Sequence, residues 1–139
     1  MENLLDRAKL LAKEKLEIVK VDLGKGDYVY VRQMTGRERD RFEQSLIKES
    51  KTADGSYEKS LEDFRAKLAV VTICDDKGNS ILRPDDYETL SQNMSAARLE
   101  KIITVAQSLN KITEEDKESL LKNSEGDQVA SSSSDSVES

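Results

Sequence analysis

Apolar residues recur at helical spacing at the start of the chain, with charged residues filling the opposite side. This pattern predicts an amphipathic helix over 2–15. From residue 16 the pattern changes to two partly alternating, β-branched segments around Gly24-Lys25-Gly26-Asp27, which predicts a β-hairpin over 16–34. The apolar positions of the first segment are Leu4, Leu5, Ala8, Leu11, Ala12 and Leu16.

Helical patterns fill the region from 36 to 122. Thr35 and Glu38 have the spacing of a capping box, so a helix is expected from about Gly36 to Lys48. A second helix is expected to form the centre of the core, because its apolar residues follow one another in steps of four and three. Pro84, Ser95 and Thr113 mark the starts of three further helices. The stripe of the second helix consists of Tyr57, Leu61, Phe64, Leu68 and Val71.

These elements predict a small, mainly helical α+β fold with one β-hairpin and four to six helices. We expect a single domain over 1–122, since 139 residues provide one core and hardly two. Residues 123–139 are rich in serine and acidic residues and contain no Lys or Arg. A disordered tail is therefore predicted there.

Composition narrows the range of functions. The chain has no His, which excludes His-based catalytic triads and His metal sites. Its only cysteine, Cys74, cannot form an internal disulfide and is interpreted as a small core residue. We therefore expect no enzyme activity, catalytic residue, metal site or cofactor. No long apolar segment is present, so no membrane partner is expected.

Charge argues against a nucleic-acid partner. The formal net charge is −6, and the tail beyond residue 122 supplies −4 of it through Glu125, Asp127, Asp135 and Glu138. The densest basic group is Arg32, Arg37, Arg39 and Arg41, but Glu38 and Asp40 interleave with it. The spacings predict ion pairs from Arg39 to Glu43 and from Glu38 to Arg41 on a solvated helix face.

Two groups of side chains are candidates for binding another protein. The first is the apolar face of the N-terminal helix, represented by Leu4, Leu5 and Leu11, which either caps the domain or meets another chain. The second is Tyr28 and Tyr30, which alternate onto one side of the second strand. Core packing of the two tyrosines is favoured over contact with a partner.

The order of these features resembles the tail assembly chaperones of long-tailed bacteriophages and prophages. The resemblance covers most of residues 16–125. It is carried by Val29-Tyr30-Val31-Arg32-Gln33-Met34-Thr35, Arg37-Glu38-Arg39-Asp40-Arg41-Phe42-Glu43, Val70-Val71-Thr72-Ile73-Cys74-Asp75-Asp76-Lys77-Gly78-Asn79, Pro84-Asp85-Asp86-Tyr87-Glu88-Thr89-Leu90 and Leu109-Asn110-Lys111-Ile112-Thr113-Glu114-Glu115-Asp116. These are patterns of turn, cap and core, and none is a catalytic signature.

The resemblance implies a non-enzymatic protein of the infected bacterial cytoplasm that is absent from the mature virion. Such a protein keeps the phage tape-measure protein soluble and helps to recruit the tail-tube protein during tail assembly. A monomer or weak oligomer is expected. Two alternatives remain from the residues: a small structural virion protein, such as a head–tail connector or tail-completion subunit, and a small DNA-binding regulator that uses Arg37, Arg39 and Arg41.

Overall fold

A computed structural model describes residues 2–52 and 57–124 and confirms the predicted α+β class. Helices predominate, and three short strands form one antiparallel sheet in the order β1-β2-β3. The elements are α1 (Arg7–Leu11), β1 (Ile18–Gly24), β2 (Asp27–Arg32), α2 (Gly36–Thr52), α3 (Tyr57–Thr72), β3 (Ile73–Cys74), a 3-10 turn (Pro84–Asp86), α4 (Tyr87–Asn93), α5 (Ala96–Leu109) and α6 (Glu114–Ser124).

The N-terminal helix is shorter than the sequence predicts. Residues 2–15 have the periodicity of a helix, but α1 comprises only the five residues Arg7–Leu11. Asp6 caps it, because its Oδ1 accepts a hydrogen bond from the Lys9 amide at 3.0 Å. No residue of α1 is buried. Short helices need tertiary packing to be stable in water, and α1 has none to extend it.

β1 and β2 form the predicted hairpin, and the backbone angles of Lys25 and Gly26 define its turn. Lys25 and Gly26 have φ of 57° and 83°, which are the positive values that a type I′ turn requires at both central positions. The two strands pair from Ile18 with Arg32 to Gly24 with Asp27, with an irregularity after Asp22. A third strand, β3, adds the pairs Cys74 with Tyr30 and Ile73 with Val31. No pattern in the sequence predicts this two-residue strand.

The two faces of the hairpin differ in what they contact. Val21, Leu23 and Val31 are buried in the hydrophobic core, and Val29 packs against it. Tyr28 and Tyr30 alternate with Val29 and Val31, so they lie on the opposite face. The prediction that the tyrosines pack into the core is therefore wrong, because the helices cover the valine face of β2.

The core is centred on α3, as predicted. Phe64 and Leu68 of α3 are fully buried together with Ile102 and Ile103 of α5. Leu61 and Val71 of the predicted stripe are half-buried against this cluster, whereas the Tyr57 side chain lies outside the described residues. Cys74 is buried, in agreement with its interpretation as a small core residue.

Local caps begin the helices where the sequence predicts them. Glu38 donates its amide to Thr35 Oγ1 at 3.2 Å and accepts the Thr35 amide at 2.9 Å, which completes the capping box of α2. Thr113 and Asp116 form the same reciprocal pair at the start of α6. The end of α2 lies at Thr52, four residues beyond the predicted Lys48. The loop residues 53–56 lie outside the described residues.

The end of α5 is tied to the hairpin through Asn110. The Asn110 side chain accepts the Met34 amide at 2.7 Å and donates to the Ala106 carbonyl at 2.9 Å. Lys111 follows with φ of 56°, and the Ile112 amide reaches back to the Gln107 carbonyl at 2.9 Å. This arrangement is a Schellman motif, which fixes the direction in which the chain enters α6.

The last described helix overlaps the predicted tail by two residues. Helix α6 ends at Ser124, whereas the tail was predicted over 123–139 after a domain ending at 122. The rest of that tail, residues 125–139, lies outside the described residues. Within residues 2–52 and 57–124, no helix has the length and apolar character needed to cross a membrane.

Candidate functional site

Four leucines near the N-terminus form the most exposed apolar group among the described residues. Leu4 is 98% exposed, Leu5 48%, Leu10 64% and Leu11 69%. We call these four residues the N-terminal leucine surface. Large apolar side chains in solvent are uncommon as a local group and are typical of surfaces that bind another protein.

The structure therefore leaves Leu4, Leu5 and Leu11, three of the predicted partner-binding residues, available in solvent. Leu10 belongs with them, although the sequence pattern does not identify it as part of the apolar group. The helical spacing assigns Leu10 to the charged side of a long helix. Because α1 is one short turn with no packed face, Leu10 is as exposed as its neighbour Leu11.

Tyr28 and Tyr30 form a second, separate candidate surface on the outer face of the hairpin. Their rings meet edge to face with centroids 5.6 Å apart, and Tyr28 is 50% exposed. Lys20 Nζ lies 4.3 Å from the centre of the Tyr28 ring. Among the described residues, no hydrogen bond, ion pair or ring contact joins these tyrosines to the N-terminal leucine surface.

Two of the four arginines of this stretch, Arg32 and Arg39, are engaged within the fold. Arg39 pairs with Glu43 at 2.9 Å, as predicted, and also donates to the Asn110 carbonyl. The predicted pair of Glu38 with Arg41 does not form. Glu38 instead binds Arg32, because its capping role turns the carboxylate toward the end of β2.

Arg32 and Glu38 form an ion pair whose arginine side chain is almost fully buried. Both terminal nitrogens of Arg32 donate to the Glu38 carboxylate at 2.8 Å, and the Arg32 side chain is 6% exposed. The hydrogen bond from Arg32 holds the pKa of Glu38 below its usual value, although partial burial opposes this shift. The guanidinium is thus neutralised inside the protein and is a poor candidate for contact with phosphate.

Two open grooves lie beside the sheet. One, of about 850 Å³, runs between the hairpin turn and the helices α4 and α5, where Arg98 pairs with Asp27 at 2.6 Å. The other, of about 490 Å³, is lined by Arg32 and by Lys67, whose Nζ donates to the Ser45 carbonyl at 3.1 Å and lies 4.8 Å from the Tyr87 ring centre. Arg41 is the third cation of this lining, and the other two, Arg32 and Lys67, are held by groups of the fold.

The remaining reactive groups are the cysteine thiol and the possible metal ligands. Burial raises the pKa of the Cys74 thiol, which favours the unreactive protonated form. Over residues 2–52 and 57–124, no cluster of three or more His, Cys, Asp or Glu side chains is arranged to hold a metal ion. The most distinctive arrangement among the described residues is therefore the exposed apolar group at Leu4, Leu5, Leu10 and Leu11.

Comparison with known proteins gives one structural likeness. No protein family matches this chain, and no curated protein sequence does. The chain is similar to the solved structure of the bacteriophage HK97 tail assembly chaperone, with a TM-score of 0.48 and 15% sequence identity, over 74% of this chain and 97% of that chain.

Proposed function

We propose that this protein is a tail assembly chaperone of a long-tailed phage or prophage. In this proposal it acts without catalysis in the host bacterial cytoplasm, where it keeps the tape-measure protein soluble and helps to recruit the tail-tube protein. It leaves before the virion is complete. Support comes from the ordered series of turn, cap and core motifs between residues 16 and 125, and from a surface suited to apolar helices.

The observation that carries the proposal is the exposure of the N-terminal leucine surface. A tape-measure protein is a long chain whose helices carry apolar stripes that must be covered until the tail tube surrounds them. Leu10 and Leu11 on the short capped helix, together with Leu4 and Leu5 just before it, offer a complementary apolar surface. Contact between the two removes apolar area from water on both sides.

The size of this surface fits transient binding. Full burial of one leucine contributes about 1.5–3 kcal/mol, so four contribute at most about 6–12 kcal/mol. Association costs a comparable amount, about 4–15 kcal/mol, in lost freedom of motion. The N-terminal leucine surface alone therefore supports weak, reversible contact. Reversibility is what a chaperone needs, because tube subunits must later take its place on the tape measure.

Partner binding also explains why the sequence has a longer helical pattern than α1 shows. The periodicity over 2–15 places apolar residues on one side, but only Arg7–Leu11 are helical when that side faces water. An apolar partner would supply the packing that stabilises further turns. We propose that residues 2–15 extend α1 when the tape-measure protein covers the leucines.

The acidic C-terminal segment has a complementary role in this proposal. Residues 125–139 carry four acidic side chains and no basic one. Their charge opposes the association of one chaperone complex with another.

Replacement of all four leucines by serine tests the binding surface. We expect the L4S/L5S/L10S/L11S variant to lose co-purification with the tape-measure protein while its urea unfolding midpoint stays close to that of wild type. The midpoint is preserved because substitutions of exposed side chains change stability little. In the wild type, amide signals of residues 2–15 should gain protection from hydrogen exchange on binding.

Ile81→Ser is the matched control, since Ile81 is another exposed apolar residue, 57% accessible, located outside the N-terminal segment. This variant should bind the tape-measure protein as wild type does. Undiminished binding by the four-leucine variant would contradict the assigned surface.

A further inference from the structure

The outer edge of β1 is an open strand edge. β1 is the end strand of the sheet, and the Gln33 amide donates to the Glu17 carbonyl at 3.0 Å. In an antiparallel pair every second pair of opposed residues is hydrogen-bonded. Because Glu17 and Gln33 form such a pair, the register makes Val19 with Val31 and Val21 with Val29 hydrogen-bonded pairs too, so the backbone groups of Val19 and Val21 point toward β2. The N–H and C=O groups of Ile18, Lys20 and Asp22 then point away from the sheet. In residues 2–52 and 57–124, no backbone hydrogen bond reaches these groups.

The side chains along this edge carry opposite charges two positions apart. Lys20 and Asp22 are both exposed, and they share the outer face of the hairpin with Tyr28 and Tyr30. Asp22 Oδ1 accepts the Gly24 amide at 2.9 Å, which fixes the carboxylate at the strand end. A positive and a negative group are therefore held side by side at an edge that can form further backbone hydrogen bonds.

We propose that β1 pairs antiparallel with β1 of a second copy of this chain, about a twofold axis at Val21. In that register Lys20 of each copy lies opposite Asp22 of the other. The outward-facing N–H and C=O groups of these residues can then form hydrogen bonds between the two copies. The two three-stranded sheets join into one continuous antiparallel sheet. The contact is isologous, so it closes at a dimer and leaves no further open copy of the same edge.

Charge selects this register over its neighbours. A slip of two residues in one direction places Lys20 of one copy opposite Lys20 of the other. A slip of two residues in the other direction places the two Asp22 side chains opposite each other. Directly opposed like charges destabilise a strand pair, whereas opposite charges stabilise it. A slip of one residue would place the outward backbone groups of one copy opposite residues whose N–H and C=O groups point toward β2, so the hydrogen bonds between the copies could not form. The same alternation of charge favours a second copy over an arbitrary extended peptide, because the strand is complementary to itself.

The inference is independent of the proposed chaperone function. An interface of one short strand is small, so the dimer should dissociate on dilution. In an antiparallel pair the two chains enter the joined strands from opposite ends. The two N-terminal leucine surfaces therefore lie apart and remain available to a partner.

Sedimentation of the full chain over a wide range of concentration tests the proposal. The wild type should move from monomer to dimer as concentration rises. Lys20→Glu should weaken dimerisation about tenfold or more, because it places two carboxylates opposite each other at both ends of the contact. The double variant K20E/D22K exchanges the charges and should recover dimerisation.

Lys101→Glu is the control, since it makes the same charge change at an exposed position of α5 away from the edge. Circular dichroism checks that every variant is folded. A wild type that stays monomeric at all concentrations, or a Lys20→Glu variant that dimerises as wild type does, overturns the proposal.

Cysteine cross-linking reads the register directly. Chains with Lys20→Cys mixed with chains with Asp22→Cys should form disulfide-linked dimers, because directly opposed residues lie within disulfide reach. Either variant alone should cross-link far less. Efficient cross-linking of Lys20→Cys with itself, or of Asp22→Cys with itself, would show a slipped register and contradict the inferred pairing.

Discussion

Glu38→Ala is expected to destabilise the fold by about 3–5 kcal/mol, because it leaves the buried Arg32 guanidinium without its counter-ion. Both terminal nitrogens of Arg32 donate to this carboxylate at 2.8 Å, and the Arg32 side chain is 6% exposed. The same substitution removes the acceptor for the Thr35 amide at the start of α2. Urea denaturation followed by circular dichroism measures the change.

Glu43→Ala is the matched control for this prediction. It breaks the pair with Arg39 on the same helix, but both of those side chains are about a third exposed. We expect a loss of about 0.3–0.5 kcal/mol, as is typical of such helix pairs. If the two variants lost the same small amount, the structural role assigned to the Arg32 and Glu38 pair would be wrong.

Acid should reduce the difference between wild type and the Glu38→Ala variant. The hydrogen bond from Arg32 lowers the pKa of Glu38 from its usual 4.5, so the carboxylate binds protons less readily in the folded state. Its stabilising contribution is therefore complete above the unfolded-state pKa and is lost as pH falls through the lower folded-state value. The free energies of unfolding of the two proteins should begin to approach each other as pH falls below about 4.5, and should converge only below the lower folded-state pKa of Glu38.

Phe64→Ala should have an effect of similar size by a different mechanism. Phe64 is fully buried in α3, and its ring centroid lies 5.7 Å from that of Phe42 in α2. Lys117 of α6 places its Nζ 5.5 Å from the same ring, so three helices meet at this side chain. The cavity left by alanine is expected to cost about 3–5 kcal/mol, a large part of the 5–15 kcal/mol typical of a small domain.

Phe64→Leu keeps most of the buried volume and should cost less than about 1.5 kcal/mol in the same urea experiment. Tyr28→Ala removes a ring of similar size from a half-exposed position outside the core and should cost less than Phe64→Ala. Equal losses for Phe64→Ala and Tyr28→Ala would contradict the placement of the core on α3.

The helix caps could be predicted from the sequence because they depend on near neighbours. Thr35 with Glu38 and Thr113 with Asp116 act three positions apart, so their spacing alone predicts the caps that the structure contains. Interactions between distant segments were missed. Asn110 accepts the Met34 amide from 76 positions away, and the two-residue strand β3 has no pattern long enough to be recognised.

The wrong predictions share one physical cause. Periodicity identifies the two sides of an element but does not say which side another element will cover. Tyr28 and Tyr30 alternate with Val29 and Val31, and the position of the helices decided that the valines face the core. Glu38 had an arginine at ordinary helical spacing, Arg41, yet the nearby end of β2 supplied Arg32 instead.

The candidate site shows the same limit. Helical spacing singled out Leu4, Leu5 and Leu11 as an apolar group, but it also implied a helix over 2–15. That helix requires a surface to pack against, and the part of the chain that the structure describes buries no residue of α1. The helical pattern covers residues 2–15, whereas α1 covers only Arg7–Leu11. The proposed lengthening of α1 on a partner rests on this difference in length.

Production of the tape-measure protein with and without this chain in the same bacterial host tests the central claim most directly. The measurement is the fraction of tape-measure protein that remains in the supernatant after high-speed centrifugation. The chaperone account predicts that most of it sediments when produced alone and that co-production of this chain keeps it soluble. An equal soluble fraction in the two cultures would contradict the account.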